Sequence, residues 1–346
     1  MRNKTLINLA FQLGAFTLAI LFTSLILLMT GASPLEAYAN IINGAVGSFK
    51  RFSDVLIAFV PLLLVTAGLL VTFSAGLWNI GVEGQIVMGA IGTTWVLRLL
   101  QESALPPALI IILAILAGMI SGALWASLAG ALKTFGGVNE IFGGLGLNFI
   151  TTALTIWLIF GPWKRPGTGS MSGTEMFPEA LWLPQIPEYR LSPWSLAIAF
   201  FAIIVIYFLL QGTYLGLRLK AVGKNFKAAF LLGIPTWQHM MLSFFLCGAF
   251  AGLAGAIQVT ALYHRLIPSI SSGYGYLGLM VAMLINFQAL WAAPVALFFA
   301  ALNIGGIQLP LMMKLDSALS GVLQGTLVLF VLMADGVRQK FLGRKS

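Results

Sequence analysis

Apolar windows recur along this chain at roughly 9–30, 54–74, 79–97, 106–132, 139–161, 193–211, 238–261, 274–288, 291–309 and 316–334. Nearly all approach the ~20 residues that carry a helix across about 30 Å of hydrocarbon; the eighth is the shortest. Only 8% of residues are charged and 59% are hydrophobic, whereas a soluble domain needs about 25% charged residues to cover its surface. The pattern therefore predicts an all-α polytopic membrane protein with about ten transmembrane helices. Residues 9–161 form a first half, 162–192 a loop and 193–346 a second half of one transmembrane domain spanning 1–346. Arg2 and Lys4 precede an apolar run from Leu9 to Met29. That run exceeds the ~7–15 residues of a signal-peptide core and is read as an uncleaved first span.

The net charge of +9 would point to nucleic acid in a soluble protein; here lysines and arginines in loops set topology instead. The two densest basic clusters, Arg218, Lys220, Lys224 and Lys227, and Arg338, Lys340, Arg344 and Lys345, fall on one side. This predicts a multi-pass protein with both termini in the cytoplasm. Loop 162–192 then faces outward, with Trp157, Trp163, Trp182 and Trp194 as an aromatic belt, and loop 212–237 faces the cytoplasm. The lone Cys247 leaves no disulfide framework or cysteine metal site. The sequence contains no G-x-x-x-x-G-K-[ST], no H-E-x-x-H and no G-x-S-x-G, so it predicts neither an ATPase site, nor a metalloenzyme, nor a hydrolase.

Charge at membrane depth is expensive, about 3 kcal/mol on insertion scales, so Glu83 and Glu140 demand an explanation. Each has amides nearby: Asn79 and Gln85 for the first, Asn139 and Asn148 for the second. Two readings stand side by side: these six residues line a translocation path, or the carboxylates serve helix starts through the N-terminal dipole. The i, i+4 spacing places Asn79 and Glu83 on one helical face, and Glu140 with Gly144 on another. Gly76, Gly81 and Gly84 punctuate one segment, and Gly273, Gly275 and Gly278 another. Such breaks at corresponding places in two halves fit an inverted repeat with discontinuous helices. Gly118–Gly122, Gly248–Gly252 and Gly321–Gly325 have the spacing that lets helices pack closely. In the basic loop, Val222, Phe226, Ala229, Phe230 and Gly233 fall on one face of a short helix, suited to lipid or to a groove on a partner.

"GLWNIGVEGQIVMGA" (76–90), "GGVNEIFGGLGLNFI" (136–150), "GLRLKAVGKNFKAAFLLGI" (216–234) and "SGYGYLGLMVAMLINFQALWAAP" (272–294) resemble a known family in sequence and order. It is the ABC importer permeases of the branched-chain amino acid/ribose type, in their nucleoside-type, basic membrane lipoprotein-associated subgroup. The resemblance implies a vitamin-B12-importer-like (type II) fold in two pseudo-symmetric halves. It also implies cytoplasmic ATPase subunits that bind ATP and Mg, so this chain needs no cofactor or metal of its own. A second paralogous permease, giving a heterodimer, and an external solute-binding lipoprotein complete the expected complex in a bacterial inner membrane. The stretch Gly223, Lys224, Asn225, Phe226, Ala228, Ala229 and Gly233 corresponds to a coupling helix that docks in the ATPase. Two departures stand out: glycines at 143, 144 and 146, and Lys224, Phe226 and Lys227 in the coupling segment.

The expected cargo is a nucleoside or related small polar solute, with a simple sugar or riboflavin-like solute as the alternative. From another class, an ion-coupled secondary transporter would use Glu83 and Glu140 as proton or sodium residues.

Overall fold

A computed structural model describes residues 2–167 and 173–343. Residues 168–172 of the long loop, and Arg344 and Lys345 of the terminal basic cluster, lie outside them. The helices are α1 (Arg2–Met29), α2 (Pro34–Val46), α3 (Phe49–Ser74), α4 (Val82–Leu100), α5 (Pro107–Thr134), α6 (Glu140–Phe160) and α7 (Pro193–Gly212). There follow α8 (Tyr214–Lys224), α9 (Phe226–Leu231), α10 (Thr236–Ile257), α11 (Tyr274–Leu284), α12 (Ala292–Gly306), α13 (Gln308–Met313) and α14 (Ala318–Gly343). A π-helical stretch, Gln258–Tyr263, continues α10. Among the described residues the one β-type pairing is an isolated bridge between Ile186 and Leu191.

Among the described residues, six helical segments are long and apolar enough to cross a membrane, and a pair bent by 110°, Phe16–Met29 with Pro34–Val46, adds up to one more. The apolar helices Tyr274–Leu284 and Ala318–Ala334 are shorter. Punctuation in the sequence accounts for several boundaries. Pro34, Pro107 and Pro193 open helices at positions where the missing N–H has no intrahelical acceptor to lose. The third window starts three residues later than the apolar pattern indicates: Gly76 takes φ +71° and segment 75–81 turns before α4 begins. Asn79 therefore lies outside the helix, and the helical-face pairing of Asn79 with Glu83 does not form.

The chain divides into two compact units, Met1–Val55 with Leu297–Ser346, and Leu56–Ala296. In the first, α1 packs along α14, with Phe22 against Phe330 at 5.6 Å. Tyr38 of α2 hydrogen-bonds Thr23 at 2.7 Å. In the second, α4, α5 and α10 form the densest packing. The stripes Gly118–Gly122 and Gly248–Gly252 meet there, so closely that a Cβ on Gly122 would strike the backbone of Gly248 and Gly252. With no hydrophobic drive between helices in lipid, this backbone proximity is what holds them together. The third stripe differs: nothing lies within 4 Å of a Cβ on Gly321 or Gly325.

Candidate functional site

The larger unit has two ends. At one, α8 and α9 precede α10; at the other, residues 173–191 fold over the far end of the α10–π segment. The contacts at this second end are specific. Leu183 N–H donates to Thr260 O at 2.9 Å, Phe177 N–H to His264 O at 2.9 Å and Thr174 N–H to Leu266 O at 2.9 Å. Trp182 stacks on His264 at 3.6 Å between ring centroids. Burial holds the imidazole down to about 4, so it is neutral at ordinary pH. Arg98 lies 5.7 Å from the Trp163 ring. Two of the four loop tryptophans thus serve packing, while Trp157 and Trp194 are exposed.

From His264 the chain does not continue as a helix but descends along α10. Gln258 Nε2–H donates to Ile270 O at 3.2 Å, and four residues further on α11 begins. Its start is unusual: Ser272 has φ +49° and Gly273 φ +74°, a left-handed pair after which the N–H groups of Gly273 and Gly275 point to one place, while that of Tyr274 turns back to Ser271 O at 2.9 Å. Such concavities bind anions, and here the anion is internal. Glu83, in the first turn of α4, accepts from Gly273 N–H at 3.1 Å and Gly275 N–H at 2.7 Å, one on each oxygen. A Cβ on Gly275 would collide with the Glu83 carboxylate. One carboxylate therefore serves the N-termini of two helices, α4 and α11, where the helix dipole favours negative charge.

The other polar residues singled out in the sequence are also engaged. Asn79 and Gln85, each 1% exposed, exchange two amide hydrogen bonds of 2.9 and 2.8 Å, and Asn79 also donates to Cys247 Sγ at 3.1 Å. Asn148 accepts from Gly84 N–H at 2.8 Å and donates to Ile80 O at 3.1 Å. Asn139 caps α6 by accepting from Ile141 N–H at 2.9 Å. Glu140 pairs with Lys133 at 2.6 Å. Gly144, one turn into α6, meets the backbone of Gly81. Gly144 alone of the glycines at 143, 144 and 146 thus allows α6 to approach the 75–81 turn, nothing lies within 4 Å of a Cβ on Gly146, and Gly278 faces Val65.

At the opposite end, the amphipathic segment is two helices rather than one. Asn225, at φ −159° and ψ 101°, breaks the run and caps α9, accepting from Ala228 N–H at 3.0 Å. The single helical face drawn through Val222, Phe226, Ala229, Phe230 and Gly233 is accordingly interrupted. Val222 and Ala229 point inward at 3% and 2% exposure. A Cβ on Gly223 would strike Ser74 O, and Gly233 closes α9 at φ +80°. Phe226, Phe230, Leu231 and Leu232 are exposed, beside Lys224 and Lys227. Leu231 and Leu232 were not among the expected docking residues. Their signal, two leucines just before a helix-ending glycine, reads locally as ordinary hydrophobic helix.

Residues 51–332 match the family described as "Branched-chain amino acid transport system / permease component". A Haloferax volcanii protein, "Glucose ABC transporter permease protein TsgB13", is 30% identical over 89% of this chain and 83% of its own length. The "Guanosine ABC transporter permease protein NupP" of Bacillus subtilis is 27% identical over 97% of this chain and 96% of its own. The "Nucleoside ABC transporter permease protein NupB" of Lactococcus lactis is 27% identical over 89% and 85%.

Proposed function

Since the chain belongs to the branched-chain amino acid transport permease family, we propose that it is the membrane-spanning subunit of an ATP-driven importer carrying a nucleoside into the cytoplasm. The observation that carries this reading is similarity to a guanosine permease at 27% identity over 97% of the chain. Similarity to a glucose permease at 30% identity favours a second cargo reading, a simple sugar.

The rest of the complex follows from the same reading. The exposed apolar patch Phe226, Phe230, Leu231 and Leu232, flanked by Lys224 and Lys227, serves as the surface that docks on cytoplasmic ATPase subunits, which bind ATP and Mg. On this reading the bent α1–α2 pair, α4, α11 and α14 each count as one crossing beside the six long segments; the even total of ten puts both termini on one side, which the loop charges assign to the cytoplasm of a bacterial inner membrane. A second, paralogous permease is the expected neighbour: two Bacillus subtilis permeases, NupP and NupQ, are 27% and 26% identical to this chain. An external solute-binding protein delivers cargo to the end that carries loop 173–191. In an ion-coupled carrier Glu83 and Glu140 would be the cation-binding residues; here Glu83 accepts from backbone N–H groups and Glu140 pairs with Lys133, and the ATP-driven reading rests on the family match.

Uptake of labelled guanosine, adenosine, uridine and glucose into cells carrying the chain with its neighbouring ATPase and permease genes tests this. Nucleoside import that stops on ATP depletion and survives an uncoupler is the expected result. Uptake that survives ATP depletion and collapses with the uncoupler refutes it, and glucose uptake alone selects the second reading.

A further inference from the structure

The six polar residues that the sequence offered as path candidates are all bonded within the protein, which leaves open what a polar solute meets on its way through. Depth narrows the question. Along α10 and its π extension, Thr236 marks one end and the Thr260–His264 contacts with residues 174–183 mark the other. Asn79 lies level with Cys247, and a Cβ on Gly255 would strike Ile86 O. Glu83 falls between these two levels, midway along a 28-residue segment. Because Gly273 and Gly275 bind Glu83 directly, the tip of α11 is at mid-depth as well. From there α11 runs for 11 residues to Phe287, which packs on Phe73 at the end of α3 at 4.7 Å.

An interfacial aromatic belt does not account for a tyrosine at that level. Yet Tyr276 is 42% exposed, and among the described residues its hydroxyl has no hydrogen-bond partner. Just above it, Ser272 is exposed, and its hydroxyl lies 3.3 Å from that of Tyr263. Tyr276 thus exposes a ring and an unpartnered hydroxyl at mid-depth, where bare hydrocarbon offers a hydroxyl nothing, whereas the Ser272 hydroxyl also donates to Ser269 O at 3.4 Å and half-buried Tyr263 belongs to the far end of the span. The N–H groups of the α11 tip are occupied by Glu83, so the site is not built for an anion.

We propose that Tyr276 at mid-depth, with the Ser272 hydroxyl above it, is a solute-contact site for a ring-bearing, hydroxyl-rich solute such as a nucleoside. The Tyr276 ring supplies a stacking face, which every nucleobase can use, and the hydroxyls supply donors and acceptors for a ribose. Glu83 is its positioning residue, since it fixes the α11 tip from which Tyr276 projects. A site near the midplane beside a broken helix is one that either side can reach in turn, the geometry seen in transporters with discontinuous helices. The proposal rests on the permease reading and deepens it.

Cysteine accessibility in the assembled importer tests it. Tyr276→Cys and Ser272→Cys are expected to react with a charged, water-soluble methanethiosulfonate during ATP-driven cycling, and to lose that labelling when guanosine or adenosine is present. Phe201→Cys, at a 68% exposed position of α7, and the unmodified chain with its buried Cys247 are the unreactive controls. No labelling at 272 and 276, while the unmodified chain still imports nucleoside, overturns the site and leaves the permease reading standing. Labelling that an imported nucleoside does not slow overturns it equally. Failure of the unmodified chain to import any nucleoside or sugar refutes the permease reading, and the site falls with it. Nucleoside uptake rates give the second measure: Tyr276→Phe is expected to fall about fivefold for the lost hydrogen bond, and Tyr276→Ala further. Equal, full-rate uptake by both variants rejects the contact.

Discussion

Glu83 carries the sharpest single-residue consequence. Its two oxygens accept separate N–H groups from Gly273 and Gly275, so Glu83→Ala leaves two inward-facing donors unpaired. Each unsatisfied buried donor costs about 1–3 kcal/mol. A loss of at least ~2 kcal/mol in unfolding free energy is expected, measured by chemical unfolding of the purified complex in detergent. Glu83→Gln should fall close to Glu83→Ala rather than to the unmodified chain. Its amide N–H₂ would confront one backbone donor, and the charge that two helix N-termini favour is gone. A fully stable Gln variant would refute the two-oxygen clasp. The sequence shows that this carboxylate needs a purpose and that a helix start is one of two options. It does not show that the helix served includes one beginning 190 residues away.

Among the elements, the basic loop yields the clearest test. Its charge, its glycine stop and the docking role that follows from family resemblance are visible in "GLRLKAVGKNFKAAFLLGIP". The break at Asn225 is not, since an Asn inside a helical periodicity becomes a cap only when the flanking helices have somewhere to pack. Because Ala229 is buried and Gly223 has no room for a side chain, substitutions there report on folding as much as on docking. Phe230→Asp with Leu231→Asp alters only exposed positions. This double variant should insert in the membrane normally yet fail to co-purify with the ATPase; full recovery of the ATPase would remove the docking assignment. The loop over the other end was legible as ordered chain rich in Pro and Gly. Its grip on residues 260–266 was not, because those hydrogen bonds join segments about 80 to 90 residues apart.

Over the whole molecule, the packing that defines the larger unit runs through glycine. Gly252 of α10 lies against Gly118 and Gly89, so Gly252→Leu forces a side chain between three helices. Overpacking a tight core costs about 1–3 kcal/mol, occasionally more, and here it opposes the α4–α5–α10 contacts together. The expected outcome is loss of folded protein after detergent extraction, read by size-exclusion chromatography. Gly325→Leu, at a position with nothing within 4 Å, should elute as the unmodified chain does. An unaltered profile for Gly252→Leu would contradict the seam. The sequence by itself determined the helical, membrane-spanning character, the places where glycine and proline break the spans, and the basic loop's position between two of them. Those properties are written in composition and in periodicities of three to four residues, which each segment satisfies on its own. Tertiary structure alone decided which groups meet: Glu83 with the α11 tip, Asn79 with Gln85 and Cys247, Gly223 with Ser74, and the exposed ring of Tyr276 at mid-depth. Such partners are fixed by how helices pack against one another, and no local spacing in the chain encodes them.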